Sequence, residues 1–498
     1  MNAGEKHILC IDQSTSATKA MLFNRKAELQ DRVSIPHRQH YPQAGFVEHD
    51  PEEIFQNTLK GIREVMAQQH CTASDIECLA ITNQRETGMI WDRGSGKPVY
   101  RAIVWQCQRG AEFCSQLRKE NKDGLIRDKT GLIIDPYFTA SKLRWIVEHV
   151  DGVRELMQEG RLMAGTMDSW LLWKLTAGKV FATDYSNASR TMLLNLSTLD
   201  WDEELLGLFS LDKGMMPELK YSDEVIGYTD PGVIFDAPVP IAGLLGDSHA
   251  ALFGQNCFRG GMAKATYGTG SSIMMNIGQA ALPPPSGLVT SIAWGRQKSV
   301  DYVFEGNIHC TGDTIQWLIN DLQLIESAAE TEELALSVTD NNGVYLVPAF
   351  VGLGAPYWDN HARAAITGMS RNTGKAHVVR AALESIAYQV RDLVDLMGSG
   401  AGVRLEELRV DGGPTRNNFL MQFQSDVLGT SLVRTRIEEI SALGSTFMAG
   451  LATGFWKNEE EIAALRLVDR HFHPSMDPAE AGQLYSAWQQ AVRRVQLH

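Results

Sequence analysis

Residues 6–24 read KHILCIDQSTSATKAMLFN, an apolar segment, a polar turn and a second apolar segment. This pattern predicts two short strands joined by the turn QSTSAT. A similar unit, MAKATYGTGSSIMMNIG, follows at 262–278. Two strand–turn–strand units in one chain, each with Gly, Ser or Thr in the turn, indicate a duplicated architecture.

The length of the chain supports this interpretation. Its 498 residues are too many for one ordinary core and predict two domains of about 250 residues each. No low-complexity linker separates the halves. The boundary therefore rests on the motifs, and we expect an N-terminal domain at 1–252 and a C-terminal domain at 253–498.

The composition excludes several classes of function. A net charge of -14 disfavours nucleic acid and anionic membranes as partners, because both bind basic surfaces. The 7 cysteines form no CxxC pair, which predicts reduced thiols and no zinc site. The first ten residues lack the long apolar segment of a signal peptide, and no apolar run approaches the ~20 residues of a membrane span. We therefore expect a cytoplasmic protein.

Other segments predict individual helices and strands. Residues 51–68 have helical periodicity and follow Asp50, a favourable N-cap. Residues 77–84, ECLAITNQ, predict a buried strand that ends in polar residues. Residues 377–397 predict the clearest helix, and residues 407–418 predict a strand, a Gly-rich turn and the start of a helix.

Three turns, at 12–16, 268–272 and 411–413, are rich in groups that can bind phosphate. Glycines let backbone N–H groups approach phosphate oxygens, and Ser or Thr hydroxyls add further donors. Taken singly, each turn is also compatible with an ordinary hairpin or loop. None of them has the Walker A or GxGxxG pattern.

Asp247 is a carboxylate in the apolar stretch GLLGDSHAALFGQ, residues 243–255. A charge in such surroundings is costly unless it is paired or takes part in chemistry. Asp247 could accept the proton of an alcohol during phosphoryl transfer, or it could cap a helix that starts there. The residue pattern alone leaves both interpretations open.

A second set of polar residues ends the predicted strand at 77–84. Arg85 can donate hydrogen bonds to hydroxyl groups and Glu86 can accept them, which suits a polyol, although a surface ion pair is the simpler alternative. Trp105 offers a flat apolar wall for a carbon chain, or it is an ordinary core residue. Tyr137 supplies another hydroxyl group.

The order of the three turns resembles that of the actin, Hsp70 and sugar-kinase superfamily. The segments ITNQRET (81–87), AIVWQCQR (102–109), TDYSNASRTMLLN (183–195), GLGAPYWD (352–359) and LRVDGGPTRNNFLMQFQSD (408–426) resemble the FGGY carbohydrate kinases. YFTASKLRWIVEH (137–149) and AAITGMSRNTGKAHVVRAALE (364–384) fit the two signature patterns of that family. The similarity spans nearly the whole chain, and within the family it is greatest to the glycerol kinases.

The resemblance implies an α/β fold of two RNase H-like domains around an interdomain cleft. It implies an enzyme that uses ATP and Mg²⁺ to phosphorylate a terminal hydroxyl of a small polyol or ketose. It also implies a homo-oligomer, a dimer or a tetramer, by analogy with the family. An actin- or Hsp70-like ATPase switch is the rival interpretation, but such a switch has no need of a polyol pocket.

The resemblance also assigns roles to individual residues. Asp247 matches the catalytic base, and Asp12 faces the magnesium ion. Positions that contact the acceptor are matched by Arg85, Glu86, Trp105, Tyr137, Asp247, Ser248 and Ser272. Positions that contact the nucleotide are matched by Ser14, Thr15, Ser16, Lys19, Thr269, Gly312, Gln316, Gly413 and Asn417.

This chain departs from the glycerol kinase pattern at several of these positions. Ser248 stands where those enzymes usually carry Gln, Ser272 where they carry Phe, and Lys19 where Arg is common. The two serines make the acceptor pocket roomier and more polar, and a larger substrate, water or neighbouring side chains could fill that room. A four- or five-carbon polyol or ketose is therefore expected as an alternative acceptor to glycerol. His249 either fills part of that room or is a helix-surface or core histidine.

Regulation is also expected to differ. Some bacterial glycerol kinases bind fructose 1,6-bisphosphate through a Gly-Gly-Thr-Arg loop. The corresponding stretch here, YTDPGVIFDAPVPIAG (228–243), contains no Arg and no Gly cluster. The sequence therefore predicts that the bisphosphate does not inhibit this protein.

Overall fold

The computed structural model describes residues 5–357, 359, 361–437, 439–466 and 468–496. Helices and strands alternate along the chain. The first half contains the strands β1 (His7–Gln13), β2 (Ala17–Phe23), β3 (Leu29–Pro36), β4 (Glu48–His49), β5 (Ile76–Asn83), β6 (Gly88–Asp92), β7 (Ala102–Ile103), β8 (Leu162–Thr166), β9 (Ala182–Asp184), β10 (Leu194–Asn195), β11 (Asp200–Trp201), β12 (Glu218–Lys220), β13 (Val225–Tyr228) and β14 (Pro240–Gly246). Its helices are α1 (Pro51–Gln68), α2 (Ala111–Lys119), α3 (Asp123–Thr130), α4 (Thr139–His149), α5 (Val153–Gln158), α6 (Met167–Leu175), α7 (Tyr185–Ala188), α8 (Glu203–Leu208) and α9 (Asp247–Gly254).

The second half continues in the same way. Its strands are β15 (Ala263–Tyr267), β16 (Ser271–Gly278), β17 (Val289–Arg296), β18 (Ser299–Ile308), β19 (Tyr345–Val347), β20 (Ala365–Thr367), β21 (Glu407–Asp411), β22 (Ser431–Thr435) and β23 (Val468–Phe472). Its helices are α10 (Gly312–Asn320), α11 (Glu330–Leu336), α12 (Lys375–Ala401), α13 (Asn418–Leu428), α14 (Ile440–Thr453), α15 (Glu459–Ala464) and α16 (Pro478–Val495).

Two large sheets share one pattern. The first has the order β13-β14-β5-β1-β2-β3, and the second has the order β17-β18-β16-β15-β21-β22-β23. In each sheet an antiparallel hairpin, β1–β2 or β15–β16, adjoins two strands that run parallel to its first strand, β5 and β14 or β21 and β22. The predicted duplication and the RNase H-like α/β fold class are thus confirmed.

The predicted helices form for the expected reasons. Helix α1 spans 51–68, and the Asp50 carboxylate accepts hydrogen bonds from the backbone N–H groups of Glu52 and Glu53. Helix α12 extends beyond the predicted 377–397 at both ends. Five apolar residues at helical spacing along it are buried: Val379, Leu383, Ile386, Val390 and Val394.

Helices α9 and α14 cross at the boundary between the two halves. A Cβ atom on Gly444 of α14 would lie 1.8 Å from the carbonyl oxygen of Ala250 in α9, and one on Gly254 would lie 2.4 Å from the carbonyl oxygen of Ile440. Only glycine permits so close an approach of two backbones. The crossing fixes α9, whose first residue is Asp247, against the C-terminal half of the chain.

Candidate active site

The hairpin β1–β2 brings polar groups to the cleft between the sheets. Asp12 lies near the end of β1, directly opposite Lys19 on β2. The Ser14 hydroxyl closes the turn by donating to the carbonyl oxygen of Ala17 at 2.9 Å. The Thr15 hydroxyl accepts a hydrogen bond from the indole N–H of Trp105 at 2.9 Å, so this turn is tied to the residues that flank the first cavity.

The first cavity has a volume of about 680 Å³. Its size falls within the range of small-molecule sites. The rings of Trp105 and Tyr137 meet edge to face at 5.6 Å and form one wall. All the predicted acceptor residues line this cavity: Arg85, Glu86, Trp105, Tyr137, Asp247, Ser248 and Ser272.

Four buried charges form the base of this cavity. Two nitrogens of Arg85 donate to the Glu305 carboxylate at 2.9 and 2.8 Å. Arg190 donates from Nε to Glu86 at 2.6 Å, and its Nη1 lies 2.9 Å from Glu305. Burial alone would raise the pKa of Glu305, but the two guanidinium groups outweigh it and hold that pKa well below its usual range. The network therefore keeps Glu305 ionised and Arg85 fixed in place.

Asp247 stands where β14 ends and α9 begins. Gly246 precedes it, and a Cβ atom there would lie 2.7 Å from Cγ of Arg85, so glycine makes room for the arginine. One carboxylate oxygen of Asp247 lies 3.3 Å from Nε of Arg85, and the side chain is 40% exposed. The same oxygen accepts the backbone N–H of Ser248 at 2.6 Å. Gly246 is the N-cap of α9 and no side chain among the described residues caps the helix, so the alternative role of Asp247 as a cap is wrong; Asp247 is the first helical residue and presents its carboxylate to the cavity.

His249 is a core residue, which is one of the interpretations left open by the sequence. It is fully buried and is not among the described residues that line the cavity. Its Nε2 lies 3.1 Å from the hydroxyl of Ser291, and its Nδ1 lies 3.5 Å from Nη1 of Arg85. Burial, with the positive charge of Arg85 second, lowers the pKa of His249. This shift favours the neutral imidazole. Because His249 does not line the cavity, it does not fill the room beside Ser248.

A second cavity, of about 730 Å³, lies on the other side of Thr266 and includes Asp12, Lys19 and Gly413. Thr266 lines both cavities. Lys19 donates to Glu439 at 2.7 Å and lies 3.8 Å from Asp12. This arrangement leaves Asp12 only partly neutralised.

The environment of Asp12 suits a bound cation. Burial raises the pKa of Asp12 to about 7; Lys19 opposes this effect, and the negative charges of Glu439 and Asp247 add to it. A divalent cation would relieve that repulsion. No group of three or more His, Cys, Asp or Glu residues suited to a metal occurs in the described part of the chain. One carboxylate nevertheless fits Mg²⁺, which keeps several of its waters and takes few protein ligands.

Most of the remaining predicted nucleotide residues make contacts outside the two cavities, and Gly312 is absent from both linings. The carbonyl oxygens of Gly268 and Thr269 accept hydrogen bonds from the first residues of α10, and a Cβ atom on Gly312 would lie 2.6 Å from Gly268 O. Gly413 has open space where a side chain would be. The Asn417 side chain caps α13 by accepting from Leu420 N at 2.9 Å.

Several predicted residues lie outside the described linings of both cavities. Ser16 and Thr269 are exposed at the tips of the two hairpins. Ser14, Gln316 and Asn417 are likewise absent from either lining, whereas Thr15 lines the first cavity, beside Trp105, and not the second. The structure therefore brings the acceptor residues together more closely than the nucleotide residues.

Sequence reasoning missed three charged residues of the site. Glu305 on β18, Lys264 on β15 and Arg190 after α7 are all buried. Glu305 and Lys264 are each a single charge in a largely apolar stretch, YVFEGNI and MAKATY. Asp247 has the same kind of surroundings in the sequence. A lone charge in an apolar stretch therefore predicts a role for both residues, although it does not predict which residues they pair with.

Comparisons with known proteins identify the family of the chain. The models of the N-terminal and C-terminal domains of the FGGY family of carbohydrate kinases match residues 7–254 and 263–453. Glycerol kinase 2 of Thermotoga maritima is 50% identical over 98% of both chains, and the glycerol kinase of Symbiobacterium thermophilum is 51% identical over 99% of both chains.

Solved structures give the same result for the fold. The glycerol kinase of Plasmodium falciparum, solved with ADP, superimposes with a TM-score of 0.94 at 34% identity and 99% coverage of both chains. Xylulose kinase of Lactobacillus acidophilus shares the fold, with a TM-score of 0.87 at 21% identity over 99% of both chains. No helix in the described residues is long and apolar enough to cross a membrane. The chain therefore belongs to the FGGY family of carbohydrate kinases.

Proposed function

We propose that this kinase transfers the γ-phosphoryl group of ATP to a terminal hydroxyl of a small polyol or ketose, with Asp247 as the catalytic base. The observation that carries the proposal is the meeting of the two cavities at Thr266. Asp247 lies in one cavity and Asp12 in the other. An acceptor in the first and a triphosphate in the second would meet at that wall.

Arg85 and Glu86 bind the hydroxyl groups of the acceptor next to the reacting one. The bidentate contact with Glu305 fixes the Arg85 guanidinium, so little side-chain entropy is lost when the acceptor binds. Trp105 and Tyr137 cover the carbon chain. Glycerol, which several relatives are named for, is the first acceptor to test.

Asp247 accepts the proton of the acceptor's terminal hydroxyl while the oxygen of that hydroxyl forms a bond to the γ-phosphorus. The bond between that phosphorus and the β–γ bridging oxygen breaks, and ADP leaves. Asp247 has the exposure needed to reach a ligand and is oriented by Arg85 at 3.3 Å. Exclusion of water by the acceptor and the cavity walls keeps water from competing as the acceptor.

The second cavity binds the phosphates of ATP. Asp12 would hold Mg²⁺ through its water molecules, and Lys19 and the N–H groups of the two hairpins would bind phosphate oxygens. When bound, the metal neutralises charge on the β- and γ-phosphates. We also assign Ser14, Thr15, Ser16, Thr269, Gly312, Gln316, Gly413 and Asn417 to the nucleotide side.

Three broader expectations accompany this proposal. Matches to separate family models at 7–254 and 263–453 support a division into domains near residue 253. Use of ATP and seven cysteines without a disulfide support a cytoplasmic location. The homo-oligomer, a dimer or a tetramer, is tested by size-exclusion chromatography with light scattering.

The direct test measures ADP release with ATP, magnesium and a panel of polyols and ketoses. Turnover that depends on the acceptor supports the proposal, whereas ATP hydrolysis that no acceptor stimulates would indicate an ATPase switch. Asp247→Asn should lower kcat by roughly 10²–10⁴-fold, the usual contribution of a general base. Its ATP affinity and thermal unfolding, measured in parallel, show that the variant is folded and still binds nucleotide.

A further inference from the structure

The acceptor cavity has a polar wall in addition to its charged base. Ser248 and Ser272 line it, and so does Asn307, whose Cα is paired with that of Ser272 across the strands β16 and β18. Within the described part of the chain, the Ser248 hydroxyl and the Asn307 amide make no side-chain hydrogen bond. These groups are therefore available to a ligand in the cavity.

Lys264 supports this wall from behind. Lys264 is 1% exposed, and its ammonium group donates to the hydroxyl of Thr266 at 3.1 Å and, more weakly, to that of Ser272 at 3.5 Å. A hydroxyl oxygen that accepts from an ammonium keeps its own O–H hydrogen free to donate. Ser272 can therefore donate a hydrogen bond to an oxygen atom in the cavity.

The number of polar groups exceeds what a triol requires. One terminal hydroxyl belongs to Asp247, and the neighbouring hydroxyls are served by Arg85 and Glu86. Ser248, Ser272 and Asn307 then have no partner on the ligand. Polar groups that line a binding site without a partner lower affinity, because the water they bind must be lost or kept in place.

We infer that the preferred acceptor is a linear polyol or ketose of four or five carbons, whose additional oxygen, or one of the two in a five-carbon acceptor, is bound by Ser248, Ser272 and Asn307. This inference rests on the proposed kinase activity and specifies its substrate class. A cavity of about 680 Å³ has room for the longer chain. The additional oxygen, a hydroxyl or a carbonyl, takes the place of the water that a triol would leave there.

The experiment compares kcat/KM for glycerol with that for tetritols, pentitols and their ketoses in the full-length protein. At least one longer acceptor should exceed glycerol by about tenfold, the value of one well-placed hydrogen bond to a neutral group. Ser272→Ala should reduce the ratio of longer acceptor to glycerol by a similar factor. Ser272→Phe, which fills the room, should reduce it further.

Ser299→Ala is the matched control, because Ser299 lies on β18 outside the linings of both cavities and its hydroxyl donates to the carbonyl oxygen of Arg296 at 3.0 Å. It should leave the ratio unchanged. Glycerol preferred over every longer acceptor, or a ratio that responds equally to Ser299→Ala and Ser272→Ala, would overturn the inference while leaving the kinase proposal intact. Absence of turnover with every acceptor would instead remove the kinase proposal and, with it, this inference.

Discussion

Replacement of Glu305 by Gln tests the charged base of the acceptor cavity. In the wild type two guanidinium groups, Arg85 and Arg190, face two carboxylates, Glu86 and Glu305, and all four side chains are at most 5% exposed. The variant loses one of the two negative charges and leaves one positive charge uncompensated. Breaking a buried pair in this way costs about 3–5 kcal/mol of unfolding free energy. For a domain of this size that loss lowers Tm by roughly 10 °C.

The same substitution should impair catalysis. Arg85 already lies 3.3 Å from Asp247, and without Glu305 it is free to pair more closely with that carboxylate. A displaced and more strongly paired base accepts a proton less readily. We expect kcat/KM for the acceptor to fall by about 100-fold, the usual effect of a small misplacement at a reacting centre. The KM for ATP should stay close to the wild-type value, because Glu305 does not line the second cavity.

The pH dependence of stability provides an independent readout. The folded-state pKa of Glu305 is depressed below the value of about 4.3 for an unfolded chain. Its ionised form therefore contributes stability that is fully present above about pH 5 and is lost as the pH falls through the folded-state pKa. The difference between wild type and Glu305→Gln should be largest near neutral pH and should narrow below about pH 4.

The assays are urea or thermal unfolding across this pH range and steady-state kinetics with varied acceptor and varied ATP. Glu204→Gln is the control: Glu204 bonds Lys129 at 2.6 Å, but its side chain is 60% exposed. That variant should lose no more than about 1 kcal/mol. A Glu305→Gln protein as stable as this control, with wild-type kcat/KM for the acceptor, would refute the assigned role of the network.

Three further predictions concern other parts of the chain. Lys142 is fully buried and donates to the carbonyl oxygens of residues 136–138, which carry Tyr137, and burial lowers its pKa to about 8. Lys142→Met should therefore raise the acceptor KM roughly tenfold with little change in kcat. The wild-type KM should rise above about pH 8, as Lys142 loses its proton, whereas the KM of the variant should not. Identical pH profiles of KM would count against this positioning role. Gly444→Ala should destabilise the protein by at least about 2 kcal/mol in urea unfolding, because its Cβ would lie 1.8 Å from Ala250 O; an unchanged midpoint would show that the helices separate easily. Fructose 1,6-bisphosphate at fixed magnesium should leave the kinase activity unchanged, since residues 228–243 contain no Arg, and a dose-dependent fall in rate would contradict this.

Much of the acceptor site could be predicted from the sequence. Strand β5 ends in polar residues, and a strand that ends at a cleft delivers Arg85 and Glu86 to that cleft. Asp247 could be predicted as a functional residue because an isolated charge in an apolar run needs a partner or a chemical role. Both signals are local, and the structure places all three side chains in one cavity.

The nucleotide side was less well defined by the sequence. Turns rich in Gly, Ser and Thr indicate backbone donors, but several of their groups are used within the protein. Asn417 caps a helix, and the Thr15 hydroxyl accepts from Trp105. A residue type alone does not show whether its hydrogen-bonding capacity is already taken.

The strand–turn–strand duplication, the main helices and the chemical character of the acceptor residues can be predicted from periodicity or from a charge in its immediate surroundings, which are local features of the chain. Three other features are visible only in the folded protein: Glu305 lies between Arg85 and Arg190, Lys264 supports Ser272, and His249 lies outside the cavity. These pairings join residues that are distant along the chain. Strand order and helix packing determine which buried charges meet. Both depend on contacts between distant parts of the chain and not on local sequence preference.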